Sequence, residues 1–305
     1  MMAGSRTISS SLPLNSMGST CIVTDSYVQF PQPSFLGRHL VRIINNNYLV
    51  NEQIFEGGKD LRANDLPAFP RPNNFPQFLI PTGDQIRGYF AEIEEEHSCD
   101  RILAILTSSQ LTPFFVQVKE ALTTFSGRVQ IQVIDSQSCS IGLGFLVQSA
   151  VEAIQKNATF ADVELLVRSL IPRIYAIFCT PGLSYLHRAG IVDLSQAMVG
   201  EMLALMPLFA LEEGHLTPLE KVRNHRQVLD SFQEFLDEFE HLSHIALVQS
   251  ISPNSQDGRL LREHAQDSFP KTPFTEHSIN VAMASLFGPQ TTCLFVVESQ
   301  GRKNR

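Results

Sequence analysis

The sequence predicts an α/β protein in two parts: an N-terminal, mainly parallel sheet flanked by helices, then a C-terminal α/β domain with a mixed sheet. Three observations carry that reading. Short apolar runs (Cys21-Ile22-Val23-Thr24, Ile102–Leu106 and Val129–Ile134) each stop abruptly at small hydroxyl or carboxylate residues, as strands buried on both faces do. Helical patterns separate these runs, which implies βαβ units with right-handed crossovers. After residue 170 the texture changes, and a hairpin appears among the strand-like runs.

The elements follow in order. Cys21–Thr24 is the first strand, ended by Asp25-Ser26. Thr82-Gly83-Asp84-Gln85 is a capping box, and Ile86, Phe90 and Ile93 recur behind it at helical spacing. Ile102–Leu106 is a strand followed by Thr107-Ser108-Ser109. Thr112-Pro113 supplies an N-cap and a Pro at the first helical position, opening a helix over Phe114–Phe125. Val129–Ile134 leads to Asp135-Ser136, and Ser140 caps a helix running to about Lys156. A helix over Ala161–Leu170, a strand over Arg173–Cys179 and a short helix over Pro181–Arg188 come next. Leu194–Leu205 is a very apolar helix with Met198, Met202 and Met206 at i+4 spacing. Leu208–Leu211 and Leu216–Val222 flank the turn Glu212-Glu213-Gly214 as a hairpin. The remainder reads as a helix over Arg226–His241, a strand over His244–Gln249 and a polar helix near Gly258–Gln266. A strand near Phe274–Ile279, a helix over Val281–Phe287 and a last strand over Thr292–Val297 complete it. The expected division is a disordered leader at 1–19, domains at 20–165 and 166–298, and a polar tail at 299–305.

Composition narrows the function. The 305 residues are 43% hydrophobic and 18% charged, which is globular. A net charge of −8 lacks the basic footprint that neutralises phosphates, so no nucleic-acid partner is expected. The longest apolar stretches, such as Met202–Leu211, fall short of the roughly 20 residues of a membrane-crossing helix. Five cysteines, odd in number and without a CxxC pair, argue against a disulfide framework or a zinc cluster. The first residues are Ser-rich with no apolar core, so no secretory signal is expected and the setting is read as cytoplasmic.

Ligands in open α/β sheets bind at the carboxyl ends of the strands. Asp25-Ser26, Thr107 to Gln110, Thr112 and Asp135-Ser136 would meet there, beside helix N-termini at Thr112 and Ser140 that suit a carboxylate or phosphate. Ser140-Ile141-Gly142-Leu143-Gly144 lacks the third glycine of a dinucleotide loop, and no GxSxG elbow occurs. Glu238, His241 and His244 have ligand-like spacing but read as a solvated polar face. No catalytic residue, metal or cofactor is expected. The methionine stripe fits either ordinary core packing or a long aliphatic ligand beside its helix.

From Ile22 to about Val297 the chain resembles the DegV family, fatty-acid-binding proteins that present acyl chains to a fatty-acid kinase in the FakB-like role. The resemblance lies in Ile22–Ser26, Phe55–Leu61, Leu106–Thr112, Val133–Ser136 with Ser140–Gly144, and Pro207 with Glu213-Gly214 through Arg223. It implies two α/β domains with a long-chain fatty acid or other lipid between them, no activity of the chain's own, and a fatty-acid kinase as partner. Thr112 is the one hydroxyl kept at a family contact position, and Thr82, Ser109 and Ser26 are the other candidate head-group residues; the candidate chain-lining residues are Phe78 and Leu286 and, from the methionine stripe, Met198 and Met202. This is a divergent member. Phe78 stands where the family has a head-group threonine and Leu286 where it has a histidine, and Ala189-Gly190-Ile191 replaces Gly-Gly-Arg. The alternative is a DegV-fold protein that has lost fatty-acid binding and acts through protein contacts. A hydrolase or transferase using Asp25-Ser26 or Asp135-Ser136 ranks last, because no histidine stands at a recognisable base position.

Overall fold

The computed structural model describes residues 19–70, 75–97, 99–181, 183–250 and 256–299. In the N-terminal region the strands β1 (Thr20–Asp25) and β2 (Val41–Ile44) precede the short β3 (Asn47–Val50), β4 (Gln53–Phe55) and β5 (Gln77–Leu79). Then come α1 (Gly83–His97), β6 (Arg101–Leu106), α2 (Phe114–Leu122), β7 (Gln130–Asp135), α3 (Ser140–Gln155) and α4 (Phe160–Leu170). The main sheet has the order β2-β1-β6-β7 and is parallel throughout, while β4-β3-β5 is a small antiparallel sheet beside it.

The C-terminal region contains β8 (Ile174–Cys179), α5 (Ser184–Arg188), α6 (Leu194–Met202), β9 (Met206–Glu212), β10 (His215–Val222) and α7 (His225–Asp237). It closes with β11 (Leu242–Gln249), α8 (Gln256–Ser268), β12 (Phe274–Ser278), α9 (Val281–Phe287) and β13 (Thr292–Glu298). Its sheet runs β10-β9-β8-β13-β11-β12, antiparallel except for the β11–β12 pair. The boundary expected at residue 165 falls inside α4. Phe160, Val163 and Val167 of that helix are buried with Ile22 and Leu103 of the first sheet, so the change of sheet comes at the turn Ile171–Arg173.

Local chemistry accounts for the elements. Thr82 and Gln85 form the capping box of α1: the Gln85 N–H donates to Thr82 Oγ1, and the Thr82 N–H donates to Gln85 Oε1. Ile86, Phe90 and Ile93 are then buried under the first sheet, each contributing about 1.5–3 kcal/mol of transfer free energy. Helix α3 is apolar nearly all round because it packs on both sheets, touching β1 and β6 on one side and β8 and β13 on the other. The two glycines that fail as a dinucleotide loop serve this packing. A Cβ on Gly144 would lie 1.9 Å from the Gln29 carbonyl oxygen, and one on Gly142 would lie 2.1 Å from Ser138 Oγ.

Gly144→Ala should therefore cost about 3 kcal/mol in urea unfolding, because the obstacle is backbone that cannot rotate away. Gly88→Ala, with nothing within 4 Å of the added Cβ on α1, should instead stabilise the protein by about 0.5–1 kcal/mol. Equal effects at the two glycines would contradict this packing of α3.

Candidate functional site

The strand order places the switch point of the first sheet between β1 and β6, the place where open α/β sheets hold ligands at their carboxyl ends. Asp25 ends β1 there and is fully buried. Its Oδ2 accepts the Thr107 N–H at 2.7 Å, and its Oδ1 accepts the Thr107 hydroxyl at 2.8 Å and the Tyr27 N–H at 3.0 Å. Burial raises the carboxyl from its ordinary 3.8 to about 6, and the three hydrogen bonds restrain the rise. The next residue, Ser26, accepts from Asn46 Nδ2 at 2.5 Å and lies 3.5 Å from the Tyr48 hydroxyl. Asn46 has no exposure, and its Oδ1 has no partner.

From this polar end an apolar layer extends between the two sheets. Tyr27, Tyr48 and Leu111 from the N-terminal region join Phe178, Phe209, Met283, Leu286 and Phe287 from the C-terminal region in one buried cluster. Hydrogen bonds hold the regions around it. Asn280 caps α9 and donates to the carbonyls of Ser26 and Val28, the Ser108 hydroxyl donates to the Gly214 carbonyl at 2.9 Å, and the Tyr185 hydroxyl donates to the Pro67 carbonyl at 2.7 Å. Leu183 and Phe209 of the cluster also line a groove of about 440 Å³ beneath α6, closed by Val192, Gly200 and Leu205.

The residues expected at the site separate into those this layer brings together and those it does not. Phe78 packs on the cluster with its ring 6.0 Å from both Tyr27 and Tyr48, and Leu286 is buried within the cluster. Ser26 stands at the polar end, and Thr112 follows Leu111 of the cluster. Thr112 is buried and its Oγ1 has no partner; it does not cap α2, because Pro113 occupies the N-cap position and no side chain caps the helix. Ser140 likewise is no cap. Cys139 takes that position, and the Ser140 hydroxyl donates to Gln29 Oε1. Ser109 is half-buried, with its N–H donated to the Asp135 carboxylate. Thr82 is exposed and occupied in the cap of α1, away from the layer.

Met198 and Met202 correct the expectation most clearly. They are 55% and 82% exposed on the outer side of α6, along with Leu194, because Ala197 and Gly200 are the residues that face inward. The small side chains let α6 approach so closely that a Cβ on Gly200 would lie 2.6 Å from Leu183 Cδ1. His244 also departs from a solvated face: it is buried on β11 beside Thr275, while Glu238 and His241 remain exposed. Asn46 and Tyr48 were not expected at the site. Their segment carries no periodic signal, and only the register pairing Asp25 with Ile44 brings it to the end of β1.

Two outcomes follow from this geometry. Thr112→Val removes a buried hydroxyl that bonds to nothing, so unfolding free energy should stay within about 0.5 kcal/mol of the wild type; a loss of about 1 kcal/mol would restore the capping role. A carboxyl whose pKa is raised by folding binds its proton more tightly in the folded chain, so its ionisation opposes folding as pH rises from about 4 to about 6. The stability of the wild type minus that of Asp25→Asn should therefore fall by about 2 kcal/mol between pH 4 and pH 7 in urea titrations. A difference that stays constant would contradict the burial of an ionised Asp25.

Comparison with known proteins agrees with this architecture. A DegV family model, described as that of an uncharacterised protein family, matches residues 19–299. A DegV domain-containing protein of Clostridium perfringens is 28% identical over 70% of this chain and 75% of its own length. Protein DegV of Bacillus subtilis is 23% identical over 71% and 76% respectively. Among solved structures, a fatty acid binding DegV family protein from Streptococcus agalactiae superposes with a TM-score of 0.79 at 16% identity, covering 93% of this chain and 100% of that one. A DegV family protein from Eubacterium eligens loaded with heptadecanoic acid gives 0.76 at 14% identity, covering 92% and 100%. A family match running from residue 19 to residue 299 means that this chain belongs to the DegV family.

Proposed function

We propose that the protein binds a long-chain fatty acid or a related acyl lipid between its two regions, without catalysing a reaction, and hands it to a separate fatty-acid kinase. The observation that carries the reading is the apolar layer, continuous from Tyr48, Phe78 and Leu286 to the groove under α6. A groove of this size falls within the usual range for small-molecule sites. Each methylene buried there yields about 0.8 kcal/mol, so a long chain binds even where its head group gains little. The fatty acids bound by relatives of the same fold point the same way. A cytoplasmic setting fits the five cysteines, all buried and none in a disulfide. None of the described helices is long and apolar enough to cross a membrane.

One observation favours a second reading, in which acyl binding has been lost and the protein acts through protein contacts. The Phe78 ring packs against Tyr27 and Tyr48 at the position where the family resemblance implies a head-group threonine.

Native mass spectrometry with lipid extraction separates the two. The first reading expects one acyl lipid per chain in the purified protein, and uptake of a fluorescent acyl probe after delipidation. Gly200→Leu should weaken that uptake at least tenfold (on the order of 1.4 kcal/mol) by filling the groove beneath α6. Empty extracts together with no uptake would leave the second reading standing.

A further inference from the structure

We infer that the outer edge of β7 receives an extended segment of a partner protein, which joins the four-stranded parallel sheet as a further strand. This interaction is separate from lipid binding and does not depend on it. β7 is the last strand of the order β2-β1-β6-β7 and pairs on one side only, with β6. The N–H groups of Gln130 and Ser136 donate to the carbonyls of Asp100 and Leu106. By the two-residue period of the ladder, the even-numbered residues bond to β6, and the N–H and C=O of Ile131 and Val133 point outward. The other outer strands of the two large sheets are guarded. On β2 the Tyr89 hydroxyl donates to the Ile43 carbonyl and Arg42 Nη1 to the Val41 carbonyl. β10 carries Pro218, Glu220 and Lys221 with a break in register between Pro218 and Glu220, and β12 carries Glu276 and His277. β7 reads Gln-Ile-Gln-Val-Ile-Asp in unbroken register, without a proline, a bulge or a lysine.

The edge lies along a groove of about 900 Å³. One wall is formed by Phe115, Lys119 and Phe125 of and after α2, and the other by Arg168 of α4 with Ile171. Ile131 and Val133 turn their side chains to the first wall and pack with its apolar residues, while Gln132 lies on the side of the second. A segment of about six residues, roughly 20 Å long, matches Gln130–Asp135. Every second side chain of that segment meets the apolar wall, and those between face Gln132 and Arg168. Charge sets their chemistry. Lys119 has no ion pair among the described residues, and Arg168 is half exposed beside Glu164. The groove's own carboxylate, Asp135, already accepts the N–H groups of Ser109 and Gln137. The segment that fits therefore alternates apolar with acidic residues. A second copy of this chain is the poorer occupant. Its β7 is flanked by the same two walls, and pairing the patch with itself sets Lys119 and Arg168 against their own copies.

The test uses the full chain and a fluorescent twelve-residue peptide of alternating Val and Glu, followed by anisotropy and by hydrogen exchange. The peptide should bind and slow exchange within Gln130–Asp135. Two further versions carry N-methyl groups on alternate residues, one on Val and one on Glu. The version blocked on the side facing β7 should bind at least tenfold more weakly than the other. Val133→Pro removes an outward N–H without touching a bond to β6, and should weaken binding of the unmethylated peptide at least tenfold. Lys119→Glu, on the exposed surface of α2, should weaken it at least threefold. If Val133→Pro fails to fold, the methylated pair and Lys119→Glu decide. No binding, equal binding of the two methylated versions, or protection confined to other segments overturns the inference. A wild-type dimer that Val133→Pro returns to monomer also overturns it, by giving the edge to a second copy.

Discussion

The buried carboxylate of Asp25 is the constraint on which the site depends. It sits at the switch point of the parallel sheet, where two neighbouring strands end and no regular ladder remains to satisfy their backbone. By accepting from both the amide and the hydroxyl of Thr107, it fixes the turn that leads through Ser108 to Thr112. By accepting the Tyr27 amide, it turns the chain so that the Tyr27 ring enters the layer between the sheets. Burying an ionised group there is unfavourable, and the raised pKa is the measure of that cost. The fold tolerates it because one side chain organises three donors at once.

The second constraint is the pairing of the two regions around α3. Asn280, Ser108 with Gly214, and Tyr185 with Pro67 each place a hydrogen bond across the apolar layer. Gly214 has a positive φ, and a Cβ there would meet Ser108 Oγ at 2.4 Å, so the hairpin turn between β9 and β10 docks only because glycine occupies it. The layer therefore has walls from both sheets.

Much of the fold was legible because its signals are local. The strands that end at Asp25, Leu106 and Asp135, the capping box at Thr82 and Gln85, and the helix Val281–Phe287 lie where the pattern puts them. The strands β2 to β5 were not legible, since runs of three or four residues are too short to show a period. The site was read less well for a related reason. A hydroxyl before Pro113 resembles a cap, but the chain gives the cap position to the proline itself and leaves Thr112 facing the interior. The methionine spacing describes one side of a helix without saying which side is buried. Ala197 and Gly200 decide that, because small residues permit the closest approach. Asn46 and Tyr48 reach the site only through the tertiary register of β1 with β2.

The most direct measurement of the central claim is photo-crosslinking of the intact protein with a diazirine-bearing acyl chain, followed by peptide mapping. Adducts on Phe78, Met283 and Leu286, suppressed by an excess of unlabelled lipid, are the result expected of a chain held between the sheets. Adducts confined to the exposed side of α6 at Met198 and Met202 would contradict it.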